Sequence, residues 1–143
     1  MRGVTLLELM VVVAIFGVIS SLGFASFERL KANYNLTERT NKLYSDIEWI
    51  RQKSMGSADP YGISFTGNNY SVFKDADHSE TYNEGDTILK TEHLGHITLS
   101  GYPDSYAYTR RGTPSQQQFI ITLTSQYSNK KQITISMFKT RIK

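Results

Sequence analysis

The stretch Gly3-Val4-Thr5-Leu6-Leu7-Glu8, followed by an uncharged run from Leu9 to Phe27, decides the fold of this chain. Between Val4 and Ala25 the only charged side chain is that of Glu8. A helix needs roughly 20 apolar residues to cross the hydrocarbon core of a bilayer. The segment meets that length, and the pattern therefore predicts a transmembrane helix at the start of the chain.

Two simpler interpretations of this segment are an uncleaved signal anchor and a cleavable secretory signal. Gly23-Phe24-Ala25 has the small-x-small pattern of a signal-peptidase site, and cleavage there would leave Ser26 as the first residue. An acidic residue inside an insertion segment costs free energy, however, and is seldom kept without a role. Glu8 therefore favours a segment that does more than anchor or target the chain.

The motif Gly3-Val4-Thr5-Leu6-Leu7-Glu8 resembles the class III signal of type IV pilins and of type II secretion pseudopilins. In that family a prepilin peptidase cuts after the glycine, and the new terminal amine is methylated. The resemblance implies removal of a leader, residues 1–3, by cleavage between Gly3 and Val4. It also implies a single-pass protein of the bacterial inner membrane, with its N-terminus cytoplasmic. This protein would then join other pilin or pseudopilin subunits in a periplasmic pseudopilus or a cell-surface pilus.

The same resemblance gives Glu8 the role of the assembly acid, as the fifth residue of the mature chain. A free ammonium on Val4 and the carboxylate of Glu8 are each costly in lipid or in a filament core. Paired between neighbouring subunits, they neutralise each other where a low dielectric strengthens their attraction. The family usually has Phe or Met at the position of Val4, and often Pro at the position of Ala25, so the chain departs from the pattern at both.

The helical pattern continues beyond the apolar run. Apolar residues recur at steps of three, four and seven, with charged residues of both signs between them, as in an amphipathic helix. These apolar positions are Phe27, Leu30, Tyr34, Leu36, Leu43, Ile47 and Ile50. The spacing predicts one helix from about Val4 to Met55, with a transmembrane and filament-core half at 4–27 and an amphipathic half at 28–56.

After Pro60 the hydrophobic period changes to two, which predicts short antiparallel strands in a globular domain at 57–143. The predicted strands are Tyr61–Phe65, Tyr70–Lys74, Thr87–His93, His96–Ser100, Tyr106–Arg110, Gln118–Thr124 and Gln132–Phe138. The expected fold class is α+β, a long N-terminal hydrophobic helix whose second half packs against a C-terminal antiparallel β-sheet domain. This layout resembles the H-type pseudopilins of type II secretion and the FimT-like minor pilins.

The charges are unevenly distributed along the chain, whose formal net charge is +3. Residues 74–92 hold two lysines and six acids, a net of −4, whereas residues 104–143 hold seven basic residues and one acid, a net of +6. The ending Thr140-Arg141-Ile142-Lys143 resembles the Gly-Arg-x-Arg motif of FimT-like minor pilins that bind DNA. The candidate DNA-binding residues are Arg141, Lys143, Lys139, Lys130, Lys131, Arg110 and Arg111.

The sequence shows no Gly-x-Ser-x-Gly elbow, no phosphate loop and no paired catalytic carboxylates, so we expect no enzyme activity and no cofactor. The pair His93 and His96 lacks further metal ligands. The acidic run from Asp75 has Glu80 and Asp86 where an EF-hand loop has Gly and Glu. It is interpreted as a flexible acidic loop without a metal.

Three functions remain open from the sequence. The first is a structural minor pilin or pseudopilin of a type IV pilus or type II secretion pseudopilus. The second is a DNA-binding minor pilin acting in DNA uptake during natural transformation. The third is a secreted β domain with a cleaved signal. The chain has no cysteine, which excludes the C-terminal disulfide loop seen in many major pilins.

Overall fold

A single helix, α1 (Leu6–Gly56), forms the N-terminal part of the protein. The computed structural model describes residues 5–136 and 140–143, without the side chains of residues 21–25. Thr5 caps the helix, since its Oγ1 accepts a hydrogen bond from the Glu8 N–H at 3.3 Å. The backbone is helical without interruption to Gly56, after which Ser57 is extended. The predicted helix is therefore present, with its C-terminal boundary one residue from the expected one.

Within the described residues, eight antiparallel strands follow α1 and form two four-stranded sheets. The strands are β1 (Tyr61–Thr66), β2 (Asn69–Lys74), β3 (Thr87–His93), β4 (Thr98–Ser100), β5 (Ser105–Tyr108), β6 (Phe119–Thr124), β7 (Lys130–Ile135) and β8 (Thr140–Ile142). The first sheet has the order β3-β2-β1-β5, and the second has the order β4-β6-β7-β8. The α+β fold class is confirmed. The seven predicted strands fall into two sheets, and β8, at the basic end of the chain, is an additional strand.

The strands β1 and β2 form a hairpin across Gly67-Asn68. Thr66 pairs with Asn69 across this two-residue turn, and Gly67 has a φ of +58°. A side chain would be strained at that angle, whereas glycine adopts it readily. The hairpin fixes the register of the two strands that face the second half of α1.

The hydrophobic core lies between the second half of α1 and the inner faces of both sheets. The helix contributes Leu36, Leu43, Ile47 and Ile50, each at most 2% exposed. Alternate residues of the strands complete the core, including Ile63, Tyr106, Ile121, Leu123, Ile133 and Ile135. Because a strand sends successive side chains to opposite faces, the alternate residues of β6 and β7 remain on the outside.

A network of polar side chains fastens α1 to β2 and β3 at the edge of this core. The Tyr70 hydroxyl donates to Asp46 Oδ2 at 2.6 Å, and Lys90 Nζ lies 2.9 Å from the same oxygen. Lys90 also reaches Glu92 at 3.2 Å, and Lys42 of α1 reaches Glu92 at 2.9 Å. The hydrogen bond from Lys42 lowers the pKa of Glu92, and Lys90 adds to the effect. Two lysines thus balance two acids across the junction of helix and sheet.

Candidate functional site

The first half of α1 exposes a continuous set of large apolar side chains. Their exposed fractions range from 47% for Val12 to 78% for Leu6. The set comprises Leu6, Leu7, Leu9, Met10, Val11, Val12, Val13, Ile15, Phe16, Val18 and Ile19. Fully burying a side chain of this kind stabilises it by about 1.5–3 kcal/mol. A surface with eleven of them is therefore built to be covered by something outside this chain.

Glu8 lies in the first turn of α1, at the beginning of this apolar surface. Backbone N–H groups leave a partial positive charge at a helix N-terminus, and a carboxylate there is stabilised. Thr5 and Glu8 also have the Thr-x-x-Glu spacing of a capping box. This spacing is visible in the sequence and indicates a helix start, in addition to the assembly role predicted for Glu8. Glu8 is exposed, so its carboxylate is accessible to a partner. The predicted cleavage site, Gly3 and Val4, lies outside the described residues.

Within the described part of the chain, no helix combines the length and the mean hydropathy needed to cross a membrane. The predicted membrane segment 4–27 is covered only in part by those residues, since residue 4 and the side chains of residues 21–25 lie outside them.

Residues 1–24 match the family described as "Prokaryotic N-terminal methylation motif". The chain carries the N-terminal signal of type IV pilin-like proteins. The matched signal, followed by one long helix and an antiparallel sheet domain, confirms the resemblance drawn from Gly3–Glu8. The signal implies processing by a prepilin peptidase, anchoring in a membrane and assembly with other pilin subunits. No curated protein and no solved structure matches the chain.

The basic end of this pilin-like protein forms part of the outer face of the second sheet. Arg141 of β8 pairs with Thr134 of β7, and the Lys143 and Gln132 backbones exchange hydrogen bonds of 2.8 and 2.9 Å. Since side chains alternate along a strand, Arg141 and Lys143 share the face of Lys130, which lies two residues before Gln132. Both Arg141 and Lys130 are exposed.

The remainder of this outer face carries hydroxyl, amide and apolar groups. By the register of β4, β6 and β7, it continues through Thr98, Ser100, Ile120, Thr122, Thr124, Gln132 and Thr134. No acidic side chain occurs at any of these described strand positions. The face therefore offers cations beside uncharged hydrogen-bonding groups, an arrangement suited to an extended anion.

The other predicted DNA-binding residues do not lie on this outer face, or they lie outside the described residues. Lys131 shares the side of β7 that carries the buried Ile133, opposite to Lys130. Arg110 and Arg111 lie in the turn after β5. This turn contacts the end of α1, where Arg51 Nε donates a hydrogen bond to the Gly112 carbonyl at 3.0 Å. Lys139 lies outside the described residues. The sheet thus brings together Arg141, Lys143 and Lys130, and it does not place the two arginines of the turn on the same face.

The acidic loop 75–86 gathers the carboxylates of Asp75, Asp77 and Asp86 within 4.8 Å of one another. Hard oxygen ligands at such spacing are of the kind that hold Ca²⁺. In the structure these carboxylates bind the loop itself, since Asp75 accepts hydrogen bonds from the Ser79 and Glu80 N–H groups at 3.0 and 2.9 Å. Burial raises the pKa of Asp75, and these two N–H groups oppose the rise.

Asp86 ties the two ends of the same loop together by accepting from the Ala76 and Asn83 N–H groups. The segment was expected to be a flexible acidic loop, and the structure shows hydrogen bonds from its carboxylates to its own backbone. Its carboxylates act as local acceptors that fix the backbone, a role that acidic residues often have in turns. The two histidines of the predicted pair are also engaged separately, since His93 contacts Asn69 and His96 lines a cavity beside α1.

Proposed function

We propose that this pilin-like protein is a minor pilin or pseudopilin, a structural rather than catalytic subunit of a type IV pilus or a type II secretion pseudopilus. The observation that carries the proposal is the contrast within α1. An exposed apolar surface with Glu8 at its start is continuous with a closed, well-packed domain. Such a helix half serves contacts with lipid or with other helices.

The same surface serves two environments in succession. Before assembly, the bilayer of the inner membrane covers the apolar residues of segment 4–27. After assembly, the corresponding helices of neighbouring subunits cover them. The mature amine of Val4 and the Glu8 carboxylate of the neighbouring subunit neutralise each other, and this pairing sets the axial position of each subunit.

Two features support a minor rather than a major subunit. The chain lacks cysteine, and its basic ending resembles that of FimT-like minor pilins. The eight-stranded domain behind a single helix is also compatible with the H-type pseudopilins. These features support the finer assignment only by resemblance, whereas the apolar helix surface supports the structural role itself.

Substitution of Glu8 by Gln tests the structural role. The amide keeps the shape of the carboxylate but removes its charge, so we expect the variant to reach the membrane and to be lost from sheared filaments or pseudopili. Immunoblotting of the filament and membrane fractions measures this partition. Glu28→Gln, which removes an acid farther along the same helix, is the matched control. Normal amounts of Glu8→Gln in the filament fraction would sink the proposal.

DNA binding by the outer face of the second sheet is the second candidate function. The register that places Arg141, Lys143 and Lys130 together supports it. Cations that contact phosphates carry no information about base sequence, so binding of this kind is non-specific and sensitive to salt. In a filament subunit such a face would serve capture of DNA for uptake.

A titration of duplex DNA into the full-length protein in detergent micelles tests this function. The affinity is measured at 50 and 200 mM salt. The logarithm of the association constant is expected to fall linearly with the logarithm of the salt concentration, with a slope of about −0.9 for each phosphate contact. Arg141→Ala and Lys143→Ala are each expected to reduce that slope by about 1. Lys131→Ala, a lysine on the other side of β7, is the control. Equal affinities and slopes for all variants would exclude this face as the DNA site.

A further inference from the structure

A cavity of about 160 Å³, lined by both polar and apolar groups, lies where the middle of α1 meets the loop before β4 and the loop after β6. Asn35 and Arg39, one turn apart, line it from the helix, and Gly95, His96 and Gln126 line it from the loops. An empty apolar cavity of about 150 Å³ holds a molecule the size of benzene. The cavity therefore has room for a ligand of about six non-hydrogen atoms.

Three of the polar side chains around this cavity, those of Asn35, His96 and Gln126, are exposed, whereas Arg39 is partly buried. Within the described residues, Arg39 makes no ion pair, and the side chains of Asn35, His96 and Gln126 make no hydrogen bond. The nearby acids Asp46 and Glu92 are already balanced by Lys90 and Lys42. The partly buried Arg39 therefore lines the cavity without an ion-pair partner among the described residues.

We propose that this cavity binds a small carboxylate anion. A guanidinium presents its N–H donors in a planar fork that matches the two oxygens of a carboxylate. The amides of Asn35 and Gln126 supply further donors, and the His96 imidazole supplies one. Among the described residues no acidic side chain lines the cavity, so none of them repels a negative charge there. This site is separate from Arg141 and Lys143 on the outer sheet face, and it does not depend on the pilin-like assembly.

A salt-matched NMR titration of the ¹⁵N-labelled full-length protein in detergent micelles tests the proposal. Acetate and lactate, small carboxylates that fit a cavity of this size, are the probes, and sodium chloride at equal ionic strength is the comparison. We expect the amide signals of Gly95, His96 and Gln126 to shift and to saturate, with an apparent Kd of about 1 mM or tighter for the better probe. Shifts that grow without saturation, or that chloride reproduces, would overturn the proposal.

Variants of the cavity locate the binding. Arg39→Gln is expected to weaken binding at least about tenfold, which corresponds to the loss of one charge-assisted pairing. Arg29→Gln removes the same charge from an exposed position on the same helix and should leave the affinity unchanged. His96→Ala, a change in a surface loop, is expected to weaken binding and keeps the test open if Arg39→Gln fails to fold. Unchanged affinity in a folded Arg39→Gln protein would exclude this cavity as the site.

Discussion

The two halves of α1 share one continuous backbone and differ in what surrounds their side chains. In the first half, Ile15 is 54% exposed and Leu6 is 78% exposed. In the second half, Leu43, Ile47 and Ile50 are completely buried under the two sheets. Apolar residues of similar size thus stabilise the domain in one half and are left for contacts outside the chain in the other.

This difference separates two kinds of free energy within one helix. Burial in the second half contributes to the folding of the chain, because the covering strands belong to the same molecule. Burial in the first half contributes to insertion or assembly, because lipid or another subunit must cover it. Substitutions in the two halves should therefore change different measured quantities.

The largest expected effect comes from truncating one isoleucine in each half. Ile47→Ala removes a completely buried side chain and should lower the free energy of unfolding of the domain by about 2–5 kcal/mol. Ile15→Ala should leave it within about 0.5 kcal/mol of the parent protein, as exposed substitutions do. Denaturant titration in micelles, followed by the fluorescence of the single Trp49, measures both. Equal losses for the two variants would remove the distinction between the halves.

A pair of serines provides a second and smaller comparison. Ser54 is buried, and its Oγ accepts a hydrogen bond from the Tyr61 N–H at 2.9 Å, joining the end of α1 to β1. Ser54→Ala leaves that N–H without its acceptor and should cost about 1–3 kcal/mol. Ser20→Ala, at an exposed position of the first half, should have almost no effect on the same unfolding curve. A neutral Ser54→Ala would show that this contact does not hold the helix to the sheet.

The smallest expected effect is the pH dependence contributed by Glu92. Its pKa is lowered in the folded protein, chiefly by the hydrogen bond from Lys42. The folded state therefore binds a proton less readily than the unfolded state. This stabilisation is complete above the ordinary glutamate pKa of 4.5 and is lost as the pH falls through the lowered value.

The free energy of unfolding falls as the pH is lowered from neutral to acid. Glu92→Gln should make this fall smaller by less than about 1 kcal/mol, since water partly screens the pair. Lys42→Gln, which removes the main cause of the lowered pKa, should flatten it as well. Unfolding curves at neutral pH and at pH 3 measure the change. An acid loss that both variants leave unaltered would assign it to other groups.

Much of the fold is predictable from the sequence because the hydrophobic period is local information. The three- and four-residue spacing through Leu43, Ile47 and Ile50 predicted one long helix, and the change of period after Pro60 predicted the strands. The allocation of strands to two sheets was not predictable, since it depends on pairing between distant segments. β8 has only three residues, too few for a clear alternating pattern.

The candidate sites also differ in how far the sequence alone could predict them. The Gly3–Glu8 motif is contiguous and could be recognised directly, as the match over residues 1–24 confirms. The grouping of Arg141 with Lys130 depends on the β7–β8 register, and the Asp46–Lys90 contact joins residues 44 positions apart. The cavity beside Arg39 is formed by three separate segments. Such juxtapositions follow from tertiary packing, which no short pattern encodes.

The central claim is that a prepilin peptidase cleaves the chain between Gly3 and Val4, and that the first half of α1 then assembles with other subunits. The most direct measurement is mass spectrometry of the mature N-terminus, from cells with and without an active prepilin peptidase. With the peptidase, the chain should begin at Val4 and carry one methyl group on its amine. Without it, residues 1–3 should remain. A chain that keeps Met1 in both cells, or that begins at Ser26, would contradict the account.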